Sequence, residues 1–152
     1  MWRSVEERGV QVADLVGTHH YQMDPKGRIS LPAKYRESFE DGVFLTLGQD
    51  GCLYAFPRTE WDRKTAEMRE RDFSDQDSRA FTRMFFANAA EAELDSQGRL
   101  TLPRNLRDTA HLGKEITVTG VSDHAEIWSA EAWEQYSRTH GASYTSGALA
   151  PG

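Results

Sequence analysis

With a single cysteine, Cys52, among 152 residues, the chain has no internal partner for a disulfide and no C-x-x-C pair for a metal or redox centre. No apolar run approaches the ~18 residues that a membrane span requires, and no apolar h-region of a secretory leader opens the sequence; the expected location is cytoplasmic, with no membrane partner. Positive charge is also scarce. The net charge of −6 repels nucleic acid at long range and excludes a generally basic, non-specific DNA coat, so any nucleic-acid contact has to be local. Catalytic signatures are missing as well: there is no G-x-S-x-G and no phosphate-cradling glycine loop ahead of a helix. His19 and His20 are adjacent and face opposite sides of a strand, while His111, His124 and His140 are scattered. The expectation is a protein without enzymatic activity, cofactor, metal or small-molecule substrate. What remains is a globular chain, 38% hydrophobic, with room for one compact unit or two small halves sharing a core.

One short pattern is written twice. MDPKGRISLPAKYR begins at Met23 and LDSQGRLTLPRNLR begins at Leu94, so Asp24, Gly27, Arg28, Leu31 and Pro32 recur as Asp95, Gly98, Arg99, Leu102 and Pro103. Around each copy, Pro or Ser and then Gly sit between alternating apolar residues, which predicts a hairpin tip flanked by Asp and Arg. Pro32 and Pro103 cannot continue a central strand but suit the first turn of a helix. The repeat continues outward. A short helical run (Ala33 to Phe39; Arg104 to Ala110) precedes an alternating strand, a turn and a second strand ending in an aromatic, Phe56 or Trp128. Helix starts are expected at Thr59 and Ser129, and Trp61 and Trp133 then match. The spacing is 71 residues from Arg28 to Arg99 and 72 from Trp61 to Trp133. Each half reads ββαββα, giving an α+β fold of two pseudo-symmetric halves, with Leu31, Val43, Leu45, Leu47 and Phe56 expected opposite Leu102, Ile116, Val118 and Trp128 in a shared β core. Between them, two helices joined near Asp72 to Ser74 are expected, the second capped by Ser74 and carrying Phe81, Met84 and Phe85 on one face. The stretch from Gly141 onward, poor in charge and bulk, reads as disordered.

Both motifs are basic islands in an acidic chain. From Asp24 to Arg36, Lys26, Arg28, Lys34 and Arg36 stand against one anion, a local charge of +3; from Asp95 to Arg107, Arg99, Arg104 and Arg107 stand against one, a local charge of +2. Arg28 and Arg99 can pair with Asp24 and Asp95 across their own turns. Such an exposed pair contributes only ~0 to 1 kcal/mol, yet it also holds the guanidinium's planar fork ready for guanine edges or phosphate.

Duplicated D-x-x-x-R hairpins, each followed by L-P and a short helix, resemble the MraZ family of bacterial transcriptional regulators, whose halves are AbrB-like, swapped-hairpin domains. The likeness runs from Gly17 to about Tyr136. It divides the chain into an N-terminal extension (1–16), a first repeat (17–63), a helical linker (64–88), a second repeat (89–137) and a tail (138–152). The resemblance implies that the halves interleave around one β-barrel core. It also implies a sequence-specific regulator of the division and cell-wall operon, bound to promoter direct repeats of double-stranded DNA as a ring-shaped homo-oligomer associated with the nucleoid. Lys26, Arg28, Lys34, Arg36, Arg99, Arg104 and Arg107 are the DNA-binding candidates; Asp24, Gly27, Pro32, Asp95, Gly98 and Pro103 are the structural residues of the motif. Lys26 is matched by Gln97, which makes the first tip the more cationic. The competing reading is an antitoxin-like protein-interaction module, which shares the swapped-hairpin architecture; two hairpin sets and a short, weakly charged tail argue against it.

Overall fold

The computed structural model describes residues 14–151; most of the expected N-terminal extension, residues 1–13, lies outside the described residues. The first half comprises β1 (Leu15–Gln22), β2 (Arg28–Ser30), the 3-10 helix α1 (Ala33–Phe39), β3 (Val43–Leu47), β4 (Leu53–Pro57) and α2 (Arg58–Arg69). Helix α3 (Gln76–Ala87) leads into the second half: β5 (Ala90–Ala92), β6 (Arg99–Thr101), α4 (Arg104–Thr109), β7 (Glu115–Ser122), β8 (Ala125–Ser129) and α5 (Ala130–Thr145). The ββαββα order therefore occurs in each half.

The flanking strands of each tip do not pair with one another. β1 pairs with β7 of the other half along its length, β5 of the second half pairs with β3 of the first, and β2 pairs with β6. The result is a six-stranded sheet ordered β1-β7-β8-β4-β3-β5 and a separate two-stranded ladder β2-β6. A pseudo-twofold axis follows from the register. Ile29 lies opposite its own counterpart Leu100, and Tyr54 lies opposite Glu126, which occupies the equivalent place in the repeat. The shared core that the halves were expected to build is present, formed between two sheets: Leu31, Val43 and Leu45 join Leu102, Ile116 and Val118, with Ile29 and Leu100 from the short ladder.

Several expectations require correction. Phe56 belongs to a second cluster with Phe44, Met68 and Phe85 on the outer face of the sheet, and Trp128 packs outward against Trp133 and Tyr136. In β4 and β8 the strand alternation sends Ala55, Ala125 and Ile127 inward instead. Leu15 is almost fully buried, so the fold begins in what was read as the extension. Helix α2 starts at Arg58 directly after Pro57 and has no side-chain cap, because β4 runs through Pro57 and leaves Thr59 inside the first turn. Ser74 is not the cap of α3; Asp75 is, accepting from the Ser78 amide at 2.9 Å. Ser129 does cap α5, accepting from Ala132 N–H at 3.1 Å. The tail expected to be disordered from Gly141 is helical to Thr145, since the low charge that suggested disorder is compatible with continuation of a helix already started on Trp133 and Tyr136.

Candidate nucleic-acid interface

Each tip is a five-residue turn closed by its own aspartate. Asp24 Oδ1 accepts from the amides of Lys26 and Arg28, both at 2.9 Å, and Oδ2 accepts from Arg28 Nε at 2.6 Å. Asp95 repeats the pattern with Gln97 N–H, Arg99 N–H and Arg99 Nε, each at 2.9 Å. The Arg28 and Arg99 amides hold both carboxyls below the usual carboxylate range; partial desolvation opposes them, and the guanidinium groups and the Lys26 and Gln97 amides add to the lowering. Gly27 and Gly98 sit at φ 80° and 75°, the left-handed region where a side chain costs ~1 to 2 kcal/mol.

The two tips are fastened to each other. Leu31 N–H donates to the Gly98 carbonyl at 3.3 Å and Leu102 N–H to the Gly27 carbonyl at 2.9 Å. Arg36 and Arg107 then reach across the pseudo-twofold. Arg36 Nε donates to the Leu31 carbonyl at 3.2 Å and Arg107 Nε to the Leu102 carbonyl at 3.1 Å, and each guanidinium lies against the glycine of the other half's tip. A Cβ at Gly27 would fall 2.7 to 2.9 Å from Arg107, and one at Gly98 would collide with Arg36. These two arginines therefore clamp the tips, and their exposure is only partial.

Alternation along the ladder decides what faces outward. Ile29 and Leu100 are buried, so Arg28, Ser30, Arg99 and Thr101 share the opposite face. Arg28 and Arg99 side chains are 30% and 31% exposed. Because Arg99 is paired with Ser30, the two arginines are offset by two residues, about 7 Å along the ladder. Lys26, Lys34 and Arg104 are exposed on the tip and short helices around this ribbon. Pro32 and Pro103 precede α1 and α4 as expected.

The ladder brings Arg28 and Arg99 together, while Lys34 and Arg104 stand apart at non-equivalent places: Asn105 matches Lys34, and Ala33 matches Arg104. Ser30, Thr101 and Lys114 were missed by the sequence reading. Lys114 lines a groove of about 710 Å³ beside the first tip with Gln22, Asp24 and Arg107. No spacing rule announces it, since Lys114 belongs to the other half and arrives through the β1-β7 pairing.

The family model described as "MraZ protein, putative antitoxin-like" matches residues 15–84 and again 85–148. The chain belongs to the MraZ family. A transcriptional regulator MraZ of Pelotomaculum thermopropionicum is 43% identical over 129 residues, covering 85% of this chain and 89% of the relative. Similarity extends to proteins of the same description from Acetivibrio thermocellus, 45% identical over 121 residues with 80% and 85% covered, and Moorella thermoacetica, 45% identical over 123 residues with 81% and 86% covered. The two MraZ matches meet within α3, so the linker helices fall largely to the first repeat.

Cys52 plays no part in this interface. It is buried and donates to the Gln49 carbonyl at 3.3 Å, and burial pushes its thiol well above the ordinary range, which leaves it without a nucleophilic thiolate. Among the described residues no helix is long and apolar enough to cross a membrane, and no group of three or more His, Cys, Asp or Glu could hold a metal.

Proposed function

We propose that this chain is a transcriptional regulator that binds double-stranded DNA in a sequence-specific way, reading repeated promoter sites as a homo-oligomer in the cytoplasm, at the nucleoid, without enzymatic activity. The observation that carries the reading is the outward face of the β2-β6 ribbon: two carboxylate-locked arginines and two hydroxyl residues, related by the pseudo-twofold. A two-stranded ribbon fits the major groove, and a preorganised guanidinium can address guanine O6 and N7. The relatives' naming as transcriptional regulators supports the same role, and the operon of division and cell-wall synthesis is the proposed target.

Arg28 and Arg99 are the proposed base readers, and Lys26, Lys34 and Arg104 the phosphate contacts. Arg36 and Arg107 contribute chiefly by holding the tips. Lys26 and Lys114 add cations at the first tip, so it is proposed to carry more of the affinity. On an acidic protein one ribbon binds weakly, and several copies on repeated sites gain ~10² to 10⁴ in avidity. The test is fluorescence anisotropy with the DNA upstream of the chain's own gene. Arg28→Ala is expected to cost ~1 to 3 kcal/mol per engaged copy and Arg99→Ala less. Unchanged affinity in both variants, with the fold intact by circular dichroism, sinks the reading and leaves the arginines as turn locks.

A further inference from the structure

The repeat is not spaced evenly beside its two tips. Tyr21 lies opposite Ile116, and Ala92, which takes Tyr21's place in the repeat 71 residues on, lies opposite Val43. Val43 and Ile116 are therefore equivalent although 73 residues separate them, two more than separate Arg36 from Arg107. The extra two fall between short helix and strand: five residues, Ala110 to Lys114, join α4 to β7, where Glu40, Asp41 and Gly42 alone join α1 to β3. The longer connection lies against the first tip, because β7 pairs with β1 and Met23 N–H donates to the Lys114 carbonyl at 2.8 Å.

Charge follows this difference in length. Lys114 is exposed, has no ion-pair partner among the described residues, and shares the groove of about 710 Å³ with Arg107. Arg107 commits Nε to the Leu102 carbonyl, which leaves both Nη groups as donors. The acids nearby are already engaged: Asp24 closes its own turn, and Glu115 accepts from Gln22 Nε2 at 3.2 Å. Beside the second tip, Glu40 and Asp41 form the short connection and Glu93 replaces Gln22, all three exposed. Continued past Val43 and Ala92, the register sets Asp41 opposite Leu94, the place that Lys114 takes opposite Met23. Tip and flank together, Lys26, Arg28, Arg107 and Lys114 stand against Asp24 and Glu115 in the first, a local charge of +2; Arg36 and Arg99 stand against Glu40, Asp41, Glu93 and Asp95 in the second, a local charge of −2.

We infer that Lys114 and Arg107 form a subsite for one backbone phosphate beside the first tip, and that the acidic flank of the second tip fixes which way round the chain sits on a DNA repeat. This rests on the proposed DNA binding and assigns its polarity. With the ribbon in the major groove, the flank of each tip meets the groove's rim, where the phosphates run. At the first tip a phosphate oxygen accepts from Lys114 Nζ and from an Arg107 Nη, while the Arg107 Nε goes on holding the tip. At the second, three carboxylates meet the opposite rim and repel it. Turning the chain over about its pseudo-twofold exchanges Arg28 and Arg99 at little cost, but it moves the cationic flank off its phosphate, and this penalty selects one orientation.

Methylphosphonate substitution, which removes one phosphate charge at a time, tests the subsite when scanned along both strands of a single repeat from the DNA upstream of the chain's own gene, with binding read by fluorescence anisotropy. One neutralised phosphate, on one side of the repeat only, is expected to weaken wild-type binding about tenfold, the loss of one charged hydrogen bond, and to leave Lys114→Gln unaffected. The Lys114→Gln variant is expected to lower the magnitude of the log-affinity against log-salt slope by ~0.9, and Lys114→Arg, which keeps the charge, to retain the wild-type slope. Failure of the wild type to bind this DNA overturns the regulator reading itself. A wild type that binds while Lys114→Gln keeps both its slope and its sensitivity to every phosphate overturns the subsite, and coupled phosphates on both sides of the repeat overturn the single orientation; each of these leaves the DNA reading standing.

Discussion

Gly27 shows how much one missing side chain can hold in place. Its positive φ shapes the turn, and its bare Cα accepts the Arg107 guanidinium from the other half. Gly27→Ala is expected to destabilise by ~1 to 2 kcal/mol through the backbone alone, and more through the collision. In the double variant with Arg107→Ala the collision part should vanish, so a denaturation cycle is expected to return a coupling of ~0.5 to 3 kcal/mol; strict additivity would dissolve the clamp. Asp24 titrates in a defined direction. Its folded pKa is lowered, chiefly by the Arg28 amide, so its contribution is complete above the unfolded value of 3.8 and is lost as pH falls through the folded one. The Arg28 amide proton is therefore expected to titrate in NMR spectra with a midpoint below 3.8, and to stop doing so in Asp24→Asn.

Among the elements, α3 is held by aromatic packing and one polar anchor. Phe85 is buried among Phe56, Trp61, Phe81 and Phe86, so it serves the chain's own outer cluster rather than a docking surface. Thr46 Oγ1 donates to the Phe85 carbonyl at 2.6 Å. Phe85→Ala is expected to cost ~3 to 5 kcal/mol, and Thr46→Val ~1 to 3 kcal/mol by leaving the Phe85 carbonyl unpaired, both read from urea midpoints. The β7-β8 turn has a pH dependence of the opposite sign to that of Asp24. Burial alone would lower the His124 pKa, but hydrogen bonds to Glu126 at 3.0 Å and Asp123 at 2.6 Å outweigh it and raise the pKa. Lys64, Glu67 and Arg71 of the α2 region face the same cavity. With the folded value above 6.5, the charged contacts stabilise fully below 6.5 and fade as pH rises through the folded pKa. The stability gap between the wild type and His124→Asn is expected to be wider at pH 6 than at pH 9; a constant gap would mean that the imidazole only packs.

For the whole molecule, cross-half pairing makes the duplication obligatory. β1 and β5 find their ladders only in the other half, and an isolated half would expose the apolar core face of its strands. Fragments 14–73 and 74–151 are each expected to give collapsed, poorly dispersed NMR spectra, and a native-like spectrum after coexpression. A well-dispersed monomeric spectrum from the first fragment alone would contradict the shared core.

Local chemistry is legible in the amino-acid sequence by itself. The Asp-to-Arg turn, the helix starts after Pro32 and Pro103, the cap at Ser129 and the ββαββα order follow from residues within a few positions of one another, because turn and cap preferences are short-ranged. Strand alternation also marks Val43, Leu45, Ile116 and Val118 as core. Tertiary structure decides which strand pairs with which, and therefore everything that crosses the pseudo-twofold: Arg36 and Arg107 as clamps on the opposite tip, Lys114 beside the first tip, and Phe56 and Trp128 turned to the helices. A hydrogen-bonding strand edge accepts many partners, and choosing among them takes the packing of a core assembled from residues far apart in the chain, such as Ile29 and Leu100, 71 positions apart.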